Sequence, residues 1–555
     1  MASVLSLLDL DQAREFYARG WWQPNTMYMQ LRDWAERQPD RYALRDAQSR
    51  LTYREALQWV DAVARDLHEA GLRVGDRVSL WLPSRVESAL ILLACSRMGY
   101  VCSPSMHRDY TCADIHALLK RTKSAAFFGQ AGYGADAGVE NIFTRLDDLP
   151  SLKKIYSLPL LTPDGRHADP RERFGGLTAA APIDLPFSTS PDRIVYLAFT
   201  SGTTGLPKGV MHSDNTLLSN GRAIARDFKF DEKTIVYTLS PMSHNMGTVA
   251  LVTTLACGGE LVVHSPIDNK PAIDRIIETR ATYLVGVPTH AIDLLADARR
   301  RGLTRLGEVT SFQLAGSPIP AETVRALLSL GITPQNCFGM TENCSFQYTR
   351  PDDPPEIIIN TCGRPCEGFE LALWDPDNSD REVAVGEVGE LGAKGCCLML
   401  GYFDDQDNTE RSFNKLGWFM TGDLGQLDPK GNLRIVGRKK DLIIRGGHNI
   451  HPARIENLAM HHDAISKAAA FPVADPRLGE KVCLAVITKD NVKLDGYHVL
   501  AHLHRLGLSK YDMPEYYLQL ESFPLTASGK ILKRKMAEDV ASGKLTPEPV
   551  RFHSG

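Results

Sequence analysis

The sequence lacks several features that would assign a class at once. No paired Cys-x-x-Cys spacing occurs among its eleven cysteines, which excludes the zinc frameworks built on such pairs. The count is odd and the residues are scattered, with Cys396 and Cys397 adjacent and Cys362 and Cys366 nearby in sequence. Reduced thiols in a cytoplasmic protein are the expectation, rather than a disulfide scaffold. Charge is almost balanced, at −4 over 555 residues, so neither nucleic acid nor an anionic membrane is expected as the main partner. No basic segment precedes the short apolar start, and Asp9 and Asp11 interrupt it, so it does not read as a secretory signal. The apolar stretch 89–104 is short and carries Arg97; a buried helix followed by a strand is expected there, not a membrane span. Repeats and low-complexity tracts are missing as well.

What is present is an ordinary globular composition, 43% hydrophobic and 23% charged, on a chain long enough for more than one domain. Thr52 and Glu55 have capping-box spacing at a helix start. Short apolar runs recur at 78–83, 125–128, 194–199, 235–239, 261–264, 283–287 and 312–315, with helical patterns such as 271–280 and 321–330 between them. Strands alternating with helices predict α/β layers and parallel sheets. Past residue 360 glycines punctuate short β-like pieces, which predicts an antiparallel or β-barrel-like subdomain. A charged connector, Gly437-Arg438-Lys439-Lys440-Asp441, leads to a last segment with apolar runs at 468–473 and 482–487, read as a small α+β domain. The predicted division is 1–439 and 440–555.

The chemistry concentrates first in Tyr196-Leu197-Ala198-Phe199-Thr200-Ser201-Gly202-Thr203-Thr204-Gly205-Leu206-Pro207-Lys208-Gly209. A buried strand breaks into hydroxyls and glycines and closes on a lysine. Glycines let backbone N–H groups approach an anion, and a lysine adds a point charge suited to phosphate. A Walker loop is excluded, because Pro207 stands where its second glycine belongs and Gly209 follows Lys208. A clamp on a polyphosphate and a flexible surface loop are the readings left. Phe338-Gly339-Met340-Thr341-Glu342 sets a carboxylate beside a hydroxyl at a strand end, a combination suited to Mg²⁺ and phosphate oxygens. Trp418-Phe419-Met420-Thr421-Gly422-Asp423 places an acid after a tight turn, able to accept from two hydroxyls or to close an Asx-turn. Pro524-Leu525-Thr526-Ala527-Ser528-Gly529-Lys530 extends a lysine from a turn.

In this order the blocks resemble the adenylate-forming superfamily, which includes acyl-CoA synthetases, stand-alone adenylation enzymes and luciferases. The resemblance runs from about residue 27 to 540. It implies a large N-terminal domain and a small mobile C-terminal domain. It assigns Thr200, Ser201, Gly202, Thr203, Thr204 and Lys208 to the phosphates of ATP, Thr341 to the adenylate phosphate and Glu342 to Mg²⁺. Asn336, Gly316 and Ser317 fall on the adenine side, and Phe338 and Gly339 belong with Thr341 and Glu342 to the motif that holds the adenylate phosphate and the metal. Asp423 and Arg438 meet the ribose, Lys440 serves as the hinge, and Lys530 stabilises charge as the carboxylate attacks the α-phosphate. Gly446 and Gly447 line a channel for the thiol, coenzyme A before a carrier protein.

For the acid, Ser240-Pro241-Met242-Ser243-His244-Asn245-Met246-Gly247 resembles the family segment with a gate at the acyl pocket, filled here by His244. Asn245 resembles the asparagine that meets a ring hydroxyl in salicylate- and dihydroxybenzoate-activating enzymes. The methionines point to an adaptable apolar pocket. Phe16-Tyr17-Ala18-Arg19-Gly20-Trp21-Trp22 resembles the start of aryl-acid and alicyclic-acid ligases. The expected activity is a CoA ligase for a small cyclic or medium-chain carboxylic acid, cyclohexanecarboxylate first. An aryl acid loaded on a carrier protein is the alternative, and a catalytically inactive nucleotide-binding module is the alternative of another class. Arg445 and His448 depart from the family's commoner residues; Arg445 reads either as a contact for a CoA phosphate or as a surface arginine. A homodimer stays open.

Overall fold

Runs of apolar residues too short for a buried helix become strands, and the amphipathic stretches between them become the helices that cover those strands. The computed structural model describes residues 6–161, 173–174, 177, 185–200, 207–265, 270–525 and 531–552. Two compact units result, Met1–Glu370 with Ala393–Phe413, and Leu371–Gly392 with Asn414–Gly555.

In the first unit a nine-stranded sheet runs in the order Arg364–Pro365, Cys344–Tyr348, Thr333–Met340, Ser311–Leu314, Tyr283–Gly286, Ile235–Thr238, Glu260–Val263, Tyr42–Arg45, Arg50–Thr52. Its central pairs are parallel, with Leu314 opposite both Gly286 and Asn336. Helices Ala272–Thr279 and Ala321–Ser329, both expected from the pattern, bury Ile273, Ile276, Val324 and Leu327 against Leu284, Phe312 and Leu314. The second sheet of this unit has the order Lys154–Leu158, Ala126–Gln130, Arg77–Trp81, Val101–Ser103, Ile194–Thr200, Lys208–Ser213. The stretch with Arg97 is the expected buried helix, Val86–Met98, followed by the strand Val101–Ser103. Thr52 and Glu55 form the expected capping box. The strand Lys208–Ser213 has no apolar alternation to announce it. It returns antiparallel along Ile194–Thr200.

The second unit holds most of a five-stranded sheet, Asn378–Glu382, Phe369–Asp375, Val388–Gly395, Phe419–Leu427, Leu433–Arg438. The outermost pair at each edge is antiparallel, in line with the glycine-punctuated texture. It also holds a six-stranded sheet, in which the long hairpin of Ile465–Asp475 and Gly479–Thr488 is the largest part. Period-two alternation divides that hairpin between two cores. Ala468, Ala470, Val482, Leu484 and Val486 face one, and Ala469, Phe471, Cys483 and Ala485 face the other. Helices Pro452–Ala459, Gly496–Arg505 and Lys533–Ala541 complete the expected α+β segment. The eleven cysteines are free. Among the described residues no helix is long and apolar enough to cross a membrane.

Candidate active site

In an open parallel sheet the loops beyond the strands' carboxyl ends form the natural crevice for a ligand. Three of the sequence motifs lie there. Strand Ile235–Thr238 leads to Ser240–Asn245, strand Ser311–Leu314 to Gly316 and Ser317, and strand Thr333–Met340 to Thr341 and Glu342. Because Leu314 is in register with Asn336, Gly316 and Ser317 lie beside Phe338 and Gly339. Gly316 takes φ +92°, and both it and Ser317 are exposed. Asn336 is buried, and its Nδ2 donates to the carbonyls of Ile358 (3.1 Å) and Thr361 (2.9 Å). That amide braces the loop after helix Pro355–Asn360.

The turn carrying Thr341 and Glu342 is held from several sides. Gly339 must be glycine, since a Cβ there would lie 2.0 Å from the Cys344 carbonyl oxygen. Asn343 Oδ1 accepts from Met340 N–H (2.9 Å) and closes the turn, and Cys344 leaves it at φ +54°. His212 Nε2 lies 2.7 Å from the Thr341 carbonyl. A carbonyl only accepts, so Nε2 carries the proton and Nδ1 is left to accept from the Thr216 hydroxyl at 3.0 Å. Burial lowers the His212 pKa to about 4, against a smaller opposite effect of its bond to Thr341, so the ring is neutral. Thr216 is itself fixed as the third residue of the capping box that Ser213 forms on helix Asp214–Asp227.

Glu342 is buried, and its Oε1 accepts from the Tyr402 hydroxyl at 2.9 Å. Burial, and next the charge of Glu342, raise the Tyr402 pKa far above its ordinary range, so the phenol stays a donor. Lys208 Nζ lies over the Tyr402 ring, 4.7 Å from its centroid. Segment 400–403 reaches this place by pairing with strand Lys208–Ser213: Leu400 N–H donates to Met211, Met211 N–H to Gly401, and Phe403 N–H to Gly209. Met399 N–H donates to the Glu342 carbonyl at 2.7 Å. Cation, phenol and carboxylate are thus joined through residues far apart in the chain. Thr200 is in register with Lys208. Ser201, Gly202, Thr203 and Thr204, which connect these two strands, lie outside the described residues. Arg121 steadies the same hairpin, donating to the Pro207 carbonyl at 2.6 Å and lying over the Phe199 ring.

His244 is the N-cap of helix Asn245–Cys257, and its Nδ1 accepts from Met246 N–H at 3.3 Å. Asn245 is 6% exposed; its side chain is hydrogen-bonded to the Cys344 thiol, and its Oδ1 meets no donor among the described residues. Met242, Met246 and Val249 are buried around this helix start.

In the second unit Asp423 is opposite Arg438 in the pair Phe419–Leu427 and Leu433–Arg438, and Arg438 Nε donates to Asp423 Oδ1 at 2.9 Å. Asp423 N–H donates to Thr421 Oγ1 at 3.1 Å. Lys440 lies exposed in the 3-10 turn Lys439–Asp441, whose first residue pairs with Glu390 at 2.8 Å. Gly446 (φ +58°) and Gly447 (φ +86°) join strands in which Arg445 is opposite His448. Two central residues at positive φ make a type I′ hairpin turn, so the local geometry alone requires glycine-like freedom at both. Arg445 is engaged within this unit, by the Glu515 carboxylate and the carbonyls of Tyr511 and Met513. That corrects both earlier readings of it: the guanidinium is a half-buried brace, neither a loose surface charge nor a group held open for phosphate. Lys530 lies outside the described residues, between Leu525 and Ile531, which form a bridge.

Sequence reasoning passed over His212, Tyr402, Asn343 and Arg121. Only His212 and Arg121 are of a residue type that invites notice, and neither has a motif around it.

Comparison with known proteins gives the family. Residues 31–403 match the AMP-binding enzyme family, and residues 454–530 match the AMP-binding enzyme C-terminal domain. Salicylyl-CoA synthase / salicylate adenylyltransferase of a Streptomyces species is 32% identical over 549 residues, which cover 96% of this chain and 97% of that protein. The medium-chain fatty-acid–CoA ligase of Escherichia coli K12 is 28% identical, over 96% of this chain and 93% of that protein. Among solved structures, ATP-bound MatB from Rhodopseudomonas palustris superposes with a TM-score of 0.80 at 26% identity, covering 93% of this chain and 99% of that one. The chain is therefore an ATP-dependent, AMP-forming acid–thiol ligase: it belongs to the AMP-binding enzyme family.

Proposed function

We propose that the protein converts a ring carboxylic acid with a hydrogen-bond donor near its carboxyl group into the CoA thioester, through an acyl-adenylate. The observation that carries the choice of acid is Asn245. A buried amide oxygen without a donor costs about 1–3 kcal/mol, and a hydroxyl or amino group on the substrate relieves that cost. The salicylyl-CoA synthase relative supports the same class. A second reading is a plain alicyclic or medium-chain acid, cyclohexanecarboxylate in particular, favoured by the buried Met242, Met246 and Val249 and by the medium-chain relative.

On this reading Thr200, Ser201–Thr204 and Lys208 bind the ATP phosphates. Thr341 meets the adenylate phosphate, and Glu342 holds Mg²⁺, which supplies charge neutralisation on the phosphates. The fit rests on a buried carboxylate kept in place by a neutral phenol beside a lysine. Asn336, Gly316 and Ser317 flank the adenine, Phe338 and Gly339 lead into the phosphate and metal turn, Asp423 and Arg438 take the ribose hydroxyls, and His244 gates the acid. The proposed domain boundary is 439/440, with Lys440 as hinge, Gly446 and Gly447 in the thiol channel, and Lys530 neutralising charge in adenylation. The free cysteines support a cytoplasmic setting.

The test is acid-dependent pyrophosphate release with salicylate, 2,3-dihydroxybenzoate, benzoate, cyclohexanecarboxylate and octanoate, with and without CoA. Hydroxybenzoates should be turned over best, and Asn245→Leu should erase their advantage over benzoate. Turnover of octanoate above every ring acid overturns the reading. Lys530→Ala should slow adenylation by about 10²–10³-fold and leave thioester formation from a supplied adenylate intact. Equal loss of both steps would refute its assignment.

A further inference from the structure

Of the two half-reactions only one must remove a proton. A carboxylic acid is already ionised at neutral pH, so it attacks ATP with no proton to lose. A thiol, with a pKa of about 8.5, must give one up as it attacks the adenylate. None of the residues discussed so far accepts it.

His107 has the chemistry and the place for that task. It follows strand Val101–Ser103 in a segment fastened to the end of strand Ile194–Thr200, where Ser105 Oγ accepts from Phe199 N–H. The same segment faces the start of helix Asn245–Cys257, where His107 Nδ1 lies 3.1 Å from Ser243 Oγ. The imidazole therefore lies between the strand that enters the phosphate segment and the loop that carries His244 and Asn245. An acyl-adenylate joins its acyl carbon to phosphate, so its reactive carbon belongs between those two elements.

The ring is also oriented. Trp81 Nε1–H donates to the His107 carbonyl at 3.0 Å, the Tyr110 ring meets the imidazole edge-on at 5.7 Å, and the His244 ring lies 6.4 Å away. In the tautomer whose Nδ1–H donates to Ser243, the lone pair is on Nε2, and Nε2 meets no hydrogen-bond partner among the described residues. The titratable groups that face it are Asp109 and Tyr110 on its own segment and His244 across the gap. Strand Arg77–Trp81 presents only the indole. Burial lowers the His107 pKa, with Asp109 acting the other way, so the ring is neutral at pH 7.

The geometry points to His107 as the proton acceptor for the thiol in the second half-reaction, an assignment that rests on the ligase reading above. The thiol proton passes to Nε2 as sulfur attacks the acyl carbon. The C–S bond forms, the C–O bond to AMP breaks, and AMP leaves with the electron pair. The imidazolium then returns its proton to water. Ser243 is a positioning residue that keeps the Nε2 lone pair turned to the thiol.

The experiment uses the full-length protein in two assays. Single-turnover thioester formation from preformed salicyl-AMP and cyclohexanecarbonyl-AMP with CoA is followed from pH 5.5 to 8.5, beside acid-dependent ATP–pyrophosphate exchange over the same acid panel. His107→Gln should slow thioester formation by about 10²-fold and leave exchange unchanged. Its rate should follow thiol ionisation alone, without the imidazole limb of the wild type. Ser243→Ala should show a smaller loss with that limb shifted, and it tests the assignment even where His107→Gln does not fold. An unchanged thiol step, an equal fall in both steps, or an unchanged pH profile overturns the inference. Wild-type protein without exchange on any panel acid overturns the parent reading as well, a result distinct from intact exchange with an unaffected thiol step.

Discussion

Two acidic residues, Glu342 and Asp423, are held in contrasting ways. Glu342 lies in a turn closed locally by Asn343, but the restraints on Thr341 and Glu342 themselves come from elsewhere in the chain: His212 on the Thr341 carbonyl, Met399 on the Glu342 carbonyl, Tyr402 on its carboxylate. Asp423 is held by its own hairpin neighbourhood, by Thr421 two residues before it and by Arg438 across the ladder. The first site is buried polar structure, in which an unmet partner is expensive. The second carboxylate is just as buried, 5% exposed against 7% for Glu342, but its partner Arg438 is a half-exposed cation that water reaches when the pair is lost. A site of the first kind couples activity to folding, and one of the second kind separates them.

Substitutions put the contrast to the test. Glu342→Ala should reduce adenylation by about 10²–10³-fold, read by acid-dependent pyrophosphate exchange, and should also lower the melting temperature, because the Tyr402 hydroxyl loses its acceptor. His212→Ala touches no substrate on our reading, yet it leaves the Thr341 carbonyl bare and opens a cavity. Its expected cost is about 3 kcal/mol of unfolding free energy, measured by chemical denaturation. If Asp423→Asn destabilises the protein as much, the contrast is lost. That variant should instead raise the KM for ATP about tenfold, the loss of one charge-assisted hydrogen bond, with a stability change near zero. Gly447→Ala should cost about 1 kcal/mol, the strain of a left-handed residue, and leave exchange untouched.

Acid sharpens the comparison further. The unfolded chain takes up the His212 proton near its ordinary value of 6.5, and the folded chain only at about 4. Between those values the unfolded state binds more protons, so this residue's contribution falls as the pH drops from 6.5 to 4. Asp214 works against it. Burial raises its pKa to about 7 from an ordinary 3.8, although Ser96 and Met27 N–H donate to it. There the folded state binds the extra proton, and stability is lost as the pH rises from 3.8 to 7. The melting-temperature gap between wild type and His212→Asn should therefore narrow as the pH is lowered through that window.

How far the sequence could be read follows the same line. The parallel strands, their covering helices, the Thr52 capping box and the buried helix with Arg97 were visible because each is written in consecutive residues. The motif ends at Thr341, Glu342, Asp423 and Lys208 were visible because their neighbours in sequence carry the pattern. The strand Lys208–Ser213 was not, since both its faces are buried and its residues are mixed in polarity. Tyr402 and His212 were not, since their partners lie far off along the chain. Arg445 misled, because a charge in a charged stretch gives no sign that Glu515 has already claimed it.

The pairing of segment 400–403 with strand Lys208–Ser213 also has a consequence for synthesis. That strand ends its sheet, and its backbone partners leave the ribosome roughly 200 residues later. At about 5–20 residues per second, the nascent chain carries an open β-edge for roughly 10–40 s. An edge of that kind recruits other strands. Premature termination before residue 400 should therefore yield an aggregating product, and the growing chain should engage a holding chaperone until Tyr402 arrives to cover it.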